Sequence, residues 1–93
     1  MYGVLVRLEI ETARADEAVR MLHEFAIPTI KAGEGFLSGT WMRSLDGART
    51  ASVIVFDSEE HAVAAAERAA GMPPPGGPAS FVSAEVFEVM AQA

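Results

Sequence analysis

Hydrophobic residues recur with two different periods along this chain, and the order of the two periods limits the folds that it can adopt. From Val4 to Ile10, apolar side chains occupy every second position, and Arg7 and Glu9 lie between them. A period of two with β-branched residues predicts a strand. Between residues 15 and 32 the apolar positions recur at intervals of three and four, and this spacing predicts a helix.

The same two periods alternate through the rest of the chain. Further elements are predicted as strands at 35–43, 50–56 and 81–90 and as a helix at 59–70. The Asp46-Gly47 pair predicts a hairpin turn, and Asp57 or Ser58 is the expected N-cap of the second helix. The order strand, helix, strand, strand, helix, strand within 93 residues predicts one α+β domain of ferredoxin-like βαββαβ type. In this fold two helices cover one face of a four-stranded antiparallel sheet.

Proline and glycine mark the places where these elements are expected to bend or end. Pro28 lies inside the first helix and lacks a backbone donor, so a kink or break is expected there. Gly33 is expected to end that helix with a positive φ angle. The segment Gly71 to Pro78 contains three consecutive prolines and is predicted to be an exposed, mobile connection to the last strand.

Both faces of the predicted sheet are apolar. In the third strand, Val53 and Val55 would lie on one face and Ile54 and Phe56 on the other. An antiparallel sheet with one face in water usually alternates between apolar and polar residues. The second face would expose a larger apolar patch than monomers usually tolerate, so we predict that the chain pairs with a second copy in a homodimer.

Charge and cysteine content exclude several classes of function. The net charge is −6 and the seven basic residues are scattered, so no nucleic-acid partner is expected. The absence of cysteine excludes disulfides and thiolate sites, and no histidine or acid pair shows metal-ligand spacing. No apolar run is long enough for a bilayer and no secretory signal is evident, so we expect a cytoplasmic protein without a membrane partner.

Three short phrases give the chain a resemblance to a known family. They are Ile27-Pro28-Thr29-Ile30, Gly35-Phe36-Leu37-Ser38-Gly39 and Val55-Phe56-Asp57-Ser58-Glu59-Glu60. With the charged first strand, these phrases make nearly the whole chain resemble the dimeric α/β-barrel superfamily, and within it the antibiotic biosynthesis monooxygenase (ABM) domains. The resemblance implies the ferredoxin-like fold and a homodimer.

The resemblance also implies a choice between activities. The family includes cofactor-free oxygenases of aromatic polyketides and quinols as well as haem-degrading enzymes. The haem-degrading members share an Asn on the first strand with Trp and His around the second helix. This chain has no Asn, residues 62–70 contain neither Trp nor His, and His61 lies a turn too early. We therefore expect no haem and no other cofactor, and the polar pocket residues of the polyketide oxygenases find no residue-by-residue match either.

Two histidines are the candidates for catalysis, each with an alternative interpretation. His23 lies beside the apolar stripe of the first helix, where it could edge a pocket as a general base or simply stand half in water. His61 lies in the first turn of the second helix, whose positive end disfavours the charged imidazole, so it is expected to stay neutral near pH 7. The alternative for His61 is a solvated residue without a role.

Trp41 and Arg43 on the second strand are the candidates for ligand binding. Trp41 could stack on a planar ligand, and the alternative is a packing or interface anchor. Arg7 and Glu9 share a face of a strand expected to be central, and Glu85 lies on the last strand. We expect these three charges to form ion pairs across the sheet or the dimer rather than to act in catalysis.

These observations lead to one functional hypothesis and two alternatives. The leading hypothesis is a small-molecule-binding protein of ABM type that acts as a cofactor-independent monooxygenase on an aromatic or quinone-like substrate. The alternatives are a non-enzymatic dimer that binds a ligand or a partner protein, and an isomerase-like or decarboxylase-like member of the superfamily. A pocket that brings His23, His61 or Arg43 together would favour an enzyme. A cavity filled by Phe and Met side chains would favour the binding class.

Overall fold

The order of elements in the computed structural model, which describes residues 1–93, is the predicted one. The strands are β1 (Tyr2–Ile10), β2 (Phe36–Arg43), β3 (Arg49–Phe56) and β4 (Ala79–Glu88). The helices are a 3₁₀ turn (Thr12–Arg14), α1 (Ala15–Met21), a π-helical segment (Leu22–Ala26), α2 (Ile27–Lys31) and α3 (Glu59–Ala69). The run from α1 through α2 is continuous and is called the first helix. None of the helices has the length and apolarity needed to cross a membrane.

The sheet has the strand order β2-β3-β1-β4, and all neighbouring strands are antiparallel. This arrangement confirms the ferredoxin-like prediction. Between β2 and β3, Trp41 lies opposite Ser52 and Arg43 lies opposite Thr50. Side chains alternate between faces along a strand, and directly opposed residues share a face. Trp41 and Arg43 therefore lie on the same face as Ile54, the face that the helices cover.

Helix α3 packs closely onto this face. Its N-cap is Ser58, one of the two predicted caps, whose hydroxyl accepts a hydrogen bond from the His61 backbone N–H at 3.2 Å. Ala62 is fully buried against Val4 and Phe56 of the sheet. Alanine side chains are short enough to let the helix approach the strands, so the well-packed core of the protein lies under α3.

The first helix lies over the same face without burying any residue fully. No break occurs at Pro28. Because α2 begins at Ile27, Pro28 stands in a first turn, where its missing N–H is tolerated. The π-helical segment just before it changes the hydrogen-bond pattern, and the Thr29 hydroxyl donates to the Phe25 carbonyl at 2.8 Å. The helix continues past the proline through this local rewinding.

The end of the first helix differs from the expectation at Gly33. The Gly33 N–H donates to the Ile30 carbonyl at 2.9 Å, and its φ angle is not positive. The positive φ, 80°, falls at Gly35, directly before β2. A side chain at Gly35 would also collide with the imidazole of His61 and the carboxylate of Asp57. Both the backbone conformation and this close approach require glycine at position 35.

The turn between β2 and β3 forms at Asp46-Gly47 as predicted, with a φ of 78° at Gly47. The Asp46 carboxylate accepts hydrogen bonds from the Ser44 hydroxyl at 2.6 Å and from the Ala48 N–H at 3.0 Å. These two hydrogen bonds lower the pKa of Asp46. The Asp46 carboxylate therefore stabilises the turn.

The proline-rich connection from α3 to β4 is exposed over much of its length. Pro74 is exposed, but Pro78 is buried. The Arg14 guanidinium donates to the Gly76 carbonyl at 2.9 Å, and the Glu11 N–H donates to the Pro78 carbonyl at 2.8 Å. The prediction of an exposed connection is thus confirmed from Pro74 to Gly76 and wrong at Pro78, because the hydrogen bond from Glu11 attaches that end to the residues just before the first helix.

The other face of the sheet is uncovered in a single chain. Val53 and Phe87 are 37% and 48% exposed. Arg7, Glu9 and Glu85 are exposed as well, and none of the ion pairs within the chain includes them. The expected ion pairing therefore does not occur within one chain. Pairing across a dimer, and the dimer itself, stay predictions.

Candidate functional site

A large cavity lies between the sheet and the first helix. Its volume is about 990 Å³, at the upper end of the roughly 300–1,000 Å³ found for small-molecule pockets. Val6 and Leu8 line it from β1, and Val19 and Phe25 line it from the first helix. Most of the lining residues are hydrophobic. The cavity therefore suits a largely apolar ligand.

The cavity exists because the two helices meet the sheet differently. Helix α3 presents Ala62, Ala65 and Ala66 to the core residues of the sheet. The first helix presents larger side chains, such as Leu22 and Phe25, and none of them becomes fully buried. A close-packed protein interior contains few voids larger than a water molecule. A space of this size is therefore not part of an ordinary core.

Trp41 lines the sheet side of the cavity. Its indole ring lies over Gly39, and a side chain at Gly39 would collide with that ring. Glycine in a strand often marks a place where another group approaches the backbone closely, and here the group is the indole. A ring held in this way is suited to stacking on a planar ligand.

Arg43, the other ligand-binding candidate, lines the cavity two residues further along β2. The residues opposite Arg43 and Trp41 are Thr50 and Ser52, which the sequence analysis did not single out. Ser52 is buried, and the Thr50 hydroxyl is buried without a hydrogen-bond partner. The signal for both was available, because alternation along β3 places them on the face of Ile54. Buried hydroxyls are usually hydrogen-bonded, so the orphaned Thr50 hydroxyl sets this part of the cavity apart.

His61 does not line the cavity and is held by two carboxylates. Its Nδ1 is 2.6 Å from Oδ1 of Asp57, and its Nε2 is 3.6 Å from Oε2 of Glu34. The hydrogen bond between Asp57 and His61 raises the pKa of His61 and lowers the pKa of Asp57. The expectation of a neutral His61 is therefore wrong in direction, because the neighbouring carboxylate outweighs the helix end.

The structure does not bring His23, His61 and Arg43 together. His23 is exposed in the π-helical segment and does not line the cavity. Arg43 pairs with Thr50 near the start of β3, whereas His61 lies beyond Phe56 at the end of that strand. The six residue steps from Thr50 to Phe56 span about 20 Å at roughly 3.3 Å per residue.

Aromatic and thioether side chains line the cavity, and no histidine does. Phe25, Met21 and Met72 are among the lining residues. These side chains line an open cavity and do not fill it, so neither criterion drawn from the sequence, for an enzyme or for a binding or structural protein, is met in full. No group of three or more His, Asp or Glu side chains is placed to hold a metal ion.

Comparison with known proteins finds likeness in structure. No protein-family model matches the chain, and no curated protein matches it. The haem degrader MhuD from Mycobacterium tuberculosis, solved with two haems in its active site, aligns with a TM-score of 0.75 at 20% identity over 100% of this chain and 99% of that chain. A monooxygenase from ActVA-Orf6 of Streptomyces coelicolor, in complex with nanaomycin D, has a TM-score of 0.63 at 18% identity over 99% and 89%. Rv0793 from M. tuberculosis has a TM-score of 0.58 at 16% identity over 100% and 99%.

These likenesses confirm the fold that the resemblance to ABM domains implied. Identities of 20% and below support a statement about the fold alone. The chain has the architecture of ABM-like monooxygenases and haem degraders. Its ligand has to be argued from its own residues.

Proposed function

We propose that the protein binds a small, planar, largely apolar molecule in the cavity between the sheet and the first helix. The observation that carries this proposal is the cavity itself, about 990 Å³ in volume, mostly apolar and lined by Trp41. Burial of an apolar ligand contributes roughly 25 cal/mol per Å² of surface removed from water. Stacking on Trp41 favours a flat ring system over a branched aliphatic molecule.

The reaction that we propose is cofactor-independent monooxygenation of an aromatic or quinone-like substrate. The support is the fold, which this chain shares with the S. coelicolor monooxygenase solved with nanaomycin D. Without a cofactor, the electrons that reduce O2 come from the substrate, so a readily oxidised quinol is the class expected. The apolar lining would exclude water from such a substrate, and Trp41 would orient its ring.

A non-enzymatic ligand-binding protein is the second candidate. The observation that favours it is the separation of His23, His61 and Arg43, which leaves the cavity without an assembled acid–base pair. The same apolar lining would then hold a ligand without changing it. The two candidates share the binding site and differ in whether oxygen is consumed.

The cavity of this chain offers no histidine to a haem. Neither histidine lines the cavity, so histidine ligation of a haem iron has no donor there. We propose that haem is not the ligand. Titration with haem should give no one-to-one Soret shift. A one-to-one shift that is lost in Ala18→Phe would overturn this part of the proposal.

We also propose that the protein works as a homodimer paired through the uncovered sheet face. Val53 and Phe87 supply exposed apolar surface on that face, and burial of such surface is the usual driving force for association. Sedimentation at micromolar concentration should give a dimer, and Val53→Lys should shift it towards monomer. A stable, folded wild-type monomer at that concentration would contradict the proposal.

Fluorescence of Trp41, the only tryptophan in the chain, tests the binding proposal. Titration with 1,4-naphthoquinone should quench the emission with one ligand per chain. Ala18→Phe puts a ring into the cavity and should weaken binding by about tenfold or more, equivalent to 1.4 kcal/mol. Val63→Phe, on the exposed side of α3, is the matched control and should bind as the wild type does. Equal binding by both variants would place the ligand elsewhere.

Oxygen uptake separates the two candidate functions. With 1,4-dihydroxynaphthalene as substrate, a monooxygenase should consume oxygen faster than the spontaneous oxidation. The enhancement should be lost in Ala18→Phe and retained in Val63→Phe. Saturable binding without enhanced uptake of oxygen would favour the non-enzymatic candidate.

A further inference from the structure

We infer that the ligand carries an anionic oxygen group, such as a carboxylate or a phenolate, and that Arg43 and Thr50 bind this group at one end of the cavity. The inference rests on the proposed function and names its ligand class. The expected ligand is a flat aromatic acid or acidic phenol, with its ring system in the apolar part of the cavity.

Arg43 is a cation without a carboxylate partner in a lining that is mostly apolar. None of the ion pairs within the chain includes it, whereas Arg14 is held by Glu11 and Glu17. A guanidinium presents five N–H donors in a planar fork that matches a carboxylate. Because no carboxylate of the chain pairs with Arg43, its donors are open to an oxygen of the ligand.

The position of Arg43 keeps its charge hydrated before a ligand binds. Arg43 is exposed, and besides the cavity it lines a second depression of about 510 Å³ beside the β2–β3 turn. It therefore stands where the cavity meets solvent, and the large penalty of burying an unpaired charge does not arise. Asp46 lines the same depression, but its carboxylate is engaged by the Ser44 hydroxyl and the Ala48 N–H.

Thr50 supplies a second donor at the same place. It lies directly opposite Arg43, and the Cβ atoms of such pairs are about 5 Å apart. Its hydroxyl has no hydrogen-bond partner. Rotation about χ1 between staggered wells exchanges the hydroxyl and the methyl group, so the hydroxyl can turn towards a ligand oxygen that Arg43 holds.

The other charged residues of the lining also favour binding of the anionic group at the Arg43 end of the cavity. Glu34 lines the cavity and lies beside His61, beyond the far end of β3. Its carboxylate would repel a second anion there. Arg68 of α3 also lines the cavity outside any ion pair, but it follows Glu67 in the chain and has no orphaned hydroxyl beside it, as Arg43 has in Thr50. The anionic group is therefore expected at Arg43.

Two fluorescent probes that share the same aromatic ring system test this inference. N-phenyl-1-naphthylamine is neutral, and 8-anilinonaphthalene-1-sulfonate is the same molecule with a sulfonate. Arg43→Met should weaken the sulfonate probe by about tenfold or more, the range expected for a lost charge-assisted hydrogen bond, and should leave the neutral probe within about twofold. Arg43→Lys keeps the charge without the fork and should fall between. Thr50→Val should weaken the sulfonate probe by about threefold and leave the neutral probe unchanged.

Arg49→Met is the matched control for net charge. Arg49 is exposed, lies opposite Glu9 and does not line the cavity. Arg49→Met removes the same single positive charge as Arg43→Met. Arg49 is next to Thr50 in the chain, and its side chain lies on the opposite face of the sheet. Both probes should bind this variant as they bind the wild type. A loss of sulfonate affinity as large as that of Arg43→Met would mean that long-range charge, and not a site, attracts the probe, and would overturn the inference.

The remaining outcomes separate this inference from the proposed function. If Arg43→Met weakens both probes equally, or neither, the anion site is wrong while binding of the neutral probe keeps the cavity proposal standing. If neither probe binds the wild type, or if Ala18→Phe binds both probes as the wild type does, the cavity proposal has failed and the inference fails with it.

Discussion

The first helix and α3 cover the same face of one sheet, yet only α3 buries a residue fully there, and the first helix reaches the core with the partly buried Ile30. Under α3, Ala62 is fully buried and Phe56 is 2% exposed. In the first helix Phe25 is 58% exposed and lines the cavity. A domain of this size has little surface to bury. Such a domain can therefore pack a core on part of one sheet face and keep an open cavity over the rest.

Side-chain size accounts for much of the difference. Alanines along α3 pack against the strands, whereas leucine and phenylalanine of the first helix line the cavity. In the sequence the two apolar stripes predict the same thing, a helix with one buried face. Matched substitutions in the two helices therefore test whether the two regions differ in stability.

Removal of a phenylalanine ring should give the largest contrast. Phe56→Ala empties the core under α3, where the ring also meets Phe36 edge to face at 6.4 Å, and should lower the free energy of unfolding by about 3–5 kcal/mol. Phe25→Ala in the first helix should lower it by less than about 1 kcal/mol. Urea denaturation measures both. Similar losses for the two variants would mean that the first helix contributes to the core.

Addition of a ring should give the next largest contrast. Ala62→Phe overfills a packed site and should destabilise the protein by about 1–3 kcal/mol or more. Ala18→Phe enters the cavity and should change stability by no more than about 0.5 kcal/mol. Thermal unfolding of the two variants compares them directly. A large loss in Ala18→Phe would show that the space closes in solution.

Replacement of the orphaned hydroxyl should stabilise the protein. Thr50→Val keeps the shape of the side chain and removes a buried group without a partner, so stability should rise by about 1 kcal/mol. Thr40→Val, on the opposite face of the neighbouring strand, is the control, because Thr40 is exposed. Its effect should stay within about 0.5 kcal/mol. A destabilised Thr50→Val would indicate that the hydroxyl has a partner in solution.

The exposed pair of Asp57 and His61 should give the smallest effect, and its sign depends on pH. The raised pKa of His61 means that its contribution is full below its unfolded pKa of about 6.5 and is lost as the pH rises through the folded value. The lowered pKa of Asp57 means that its contribution is full above about pH 3.9 and is lost as the pH falls through the folded value.

His61→Ala should therefore lower the melting temperature most between about pH 4 and 6.5. The difference from the wild type should shrink above the raised pKa of His61. His23→Ala removes an exposed histidine without an ion pair and serves as the control. A His61→Ala deficit that does not vary with pH would mean that the contact with Asp57 carries no charge-dependent stabilisation.

The strands and α3 could be predicted from the sequence because their signals are local. Alternation between Val4 and Ile10 and the cap at Ser58 depend on residues close in the chain, and the predicted bounds lie within about two residues of those observed. Trp41 and Arg43 could be named from residue type and strand position. Both line the cavity, and their role stays a prediction.

The rest depends on contacts between distant residues. From the sequence, Gly33 and Gly35 are equally suited to a positive φ angle at the end of the first helix. The close approach of His61 to Gly35 distinguishes them in the structure. The orphaned hydroxyl of Thr50 becomes visible once strand register and packing are known. The cavity itself could not be predicted, because an apolar stripe does not specify how far its helix stands from the sheet.

The absence of fully buried residues in the first helix also has a consequence for divergence. Positions such as Val19 and Phe25 shape the cavity without holding the core together. Mutations there can change ligand preference while the residues under α3 keep the chain folded, since distant sites contribute almost independently to stability. Substitutions that change the cavity can therefore accumulate while the protein stays folded.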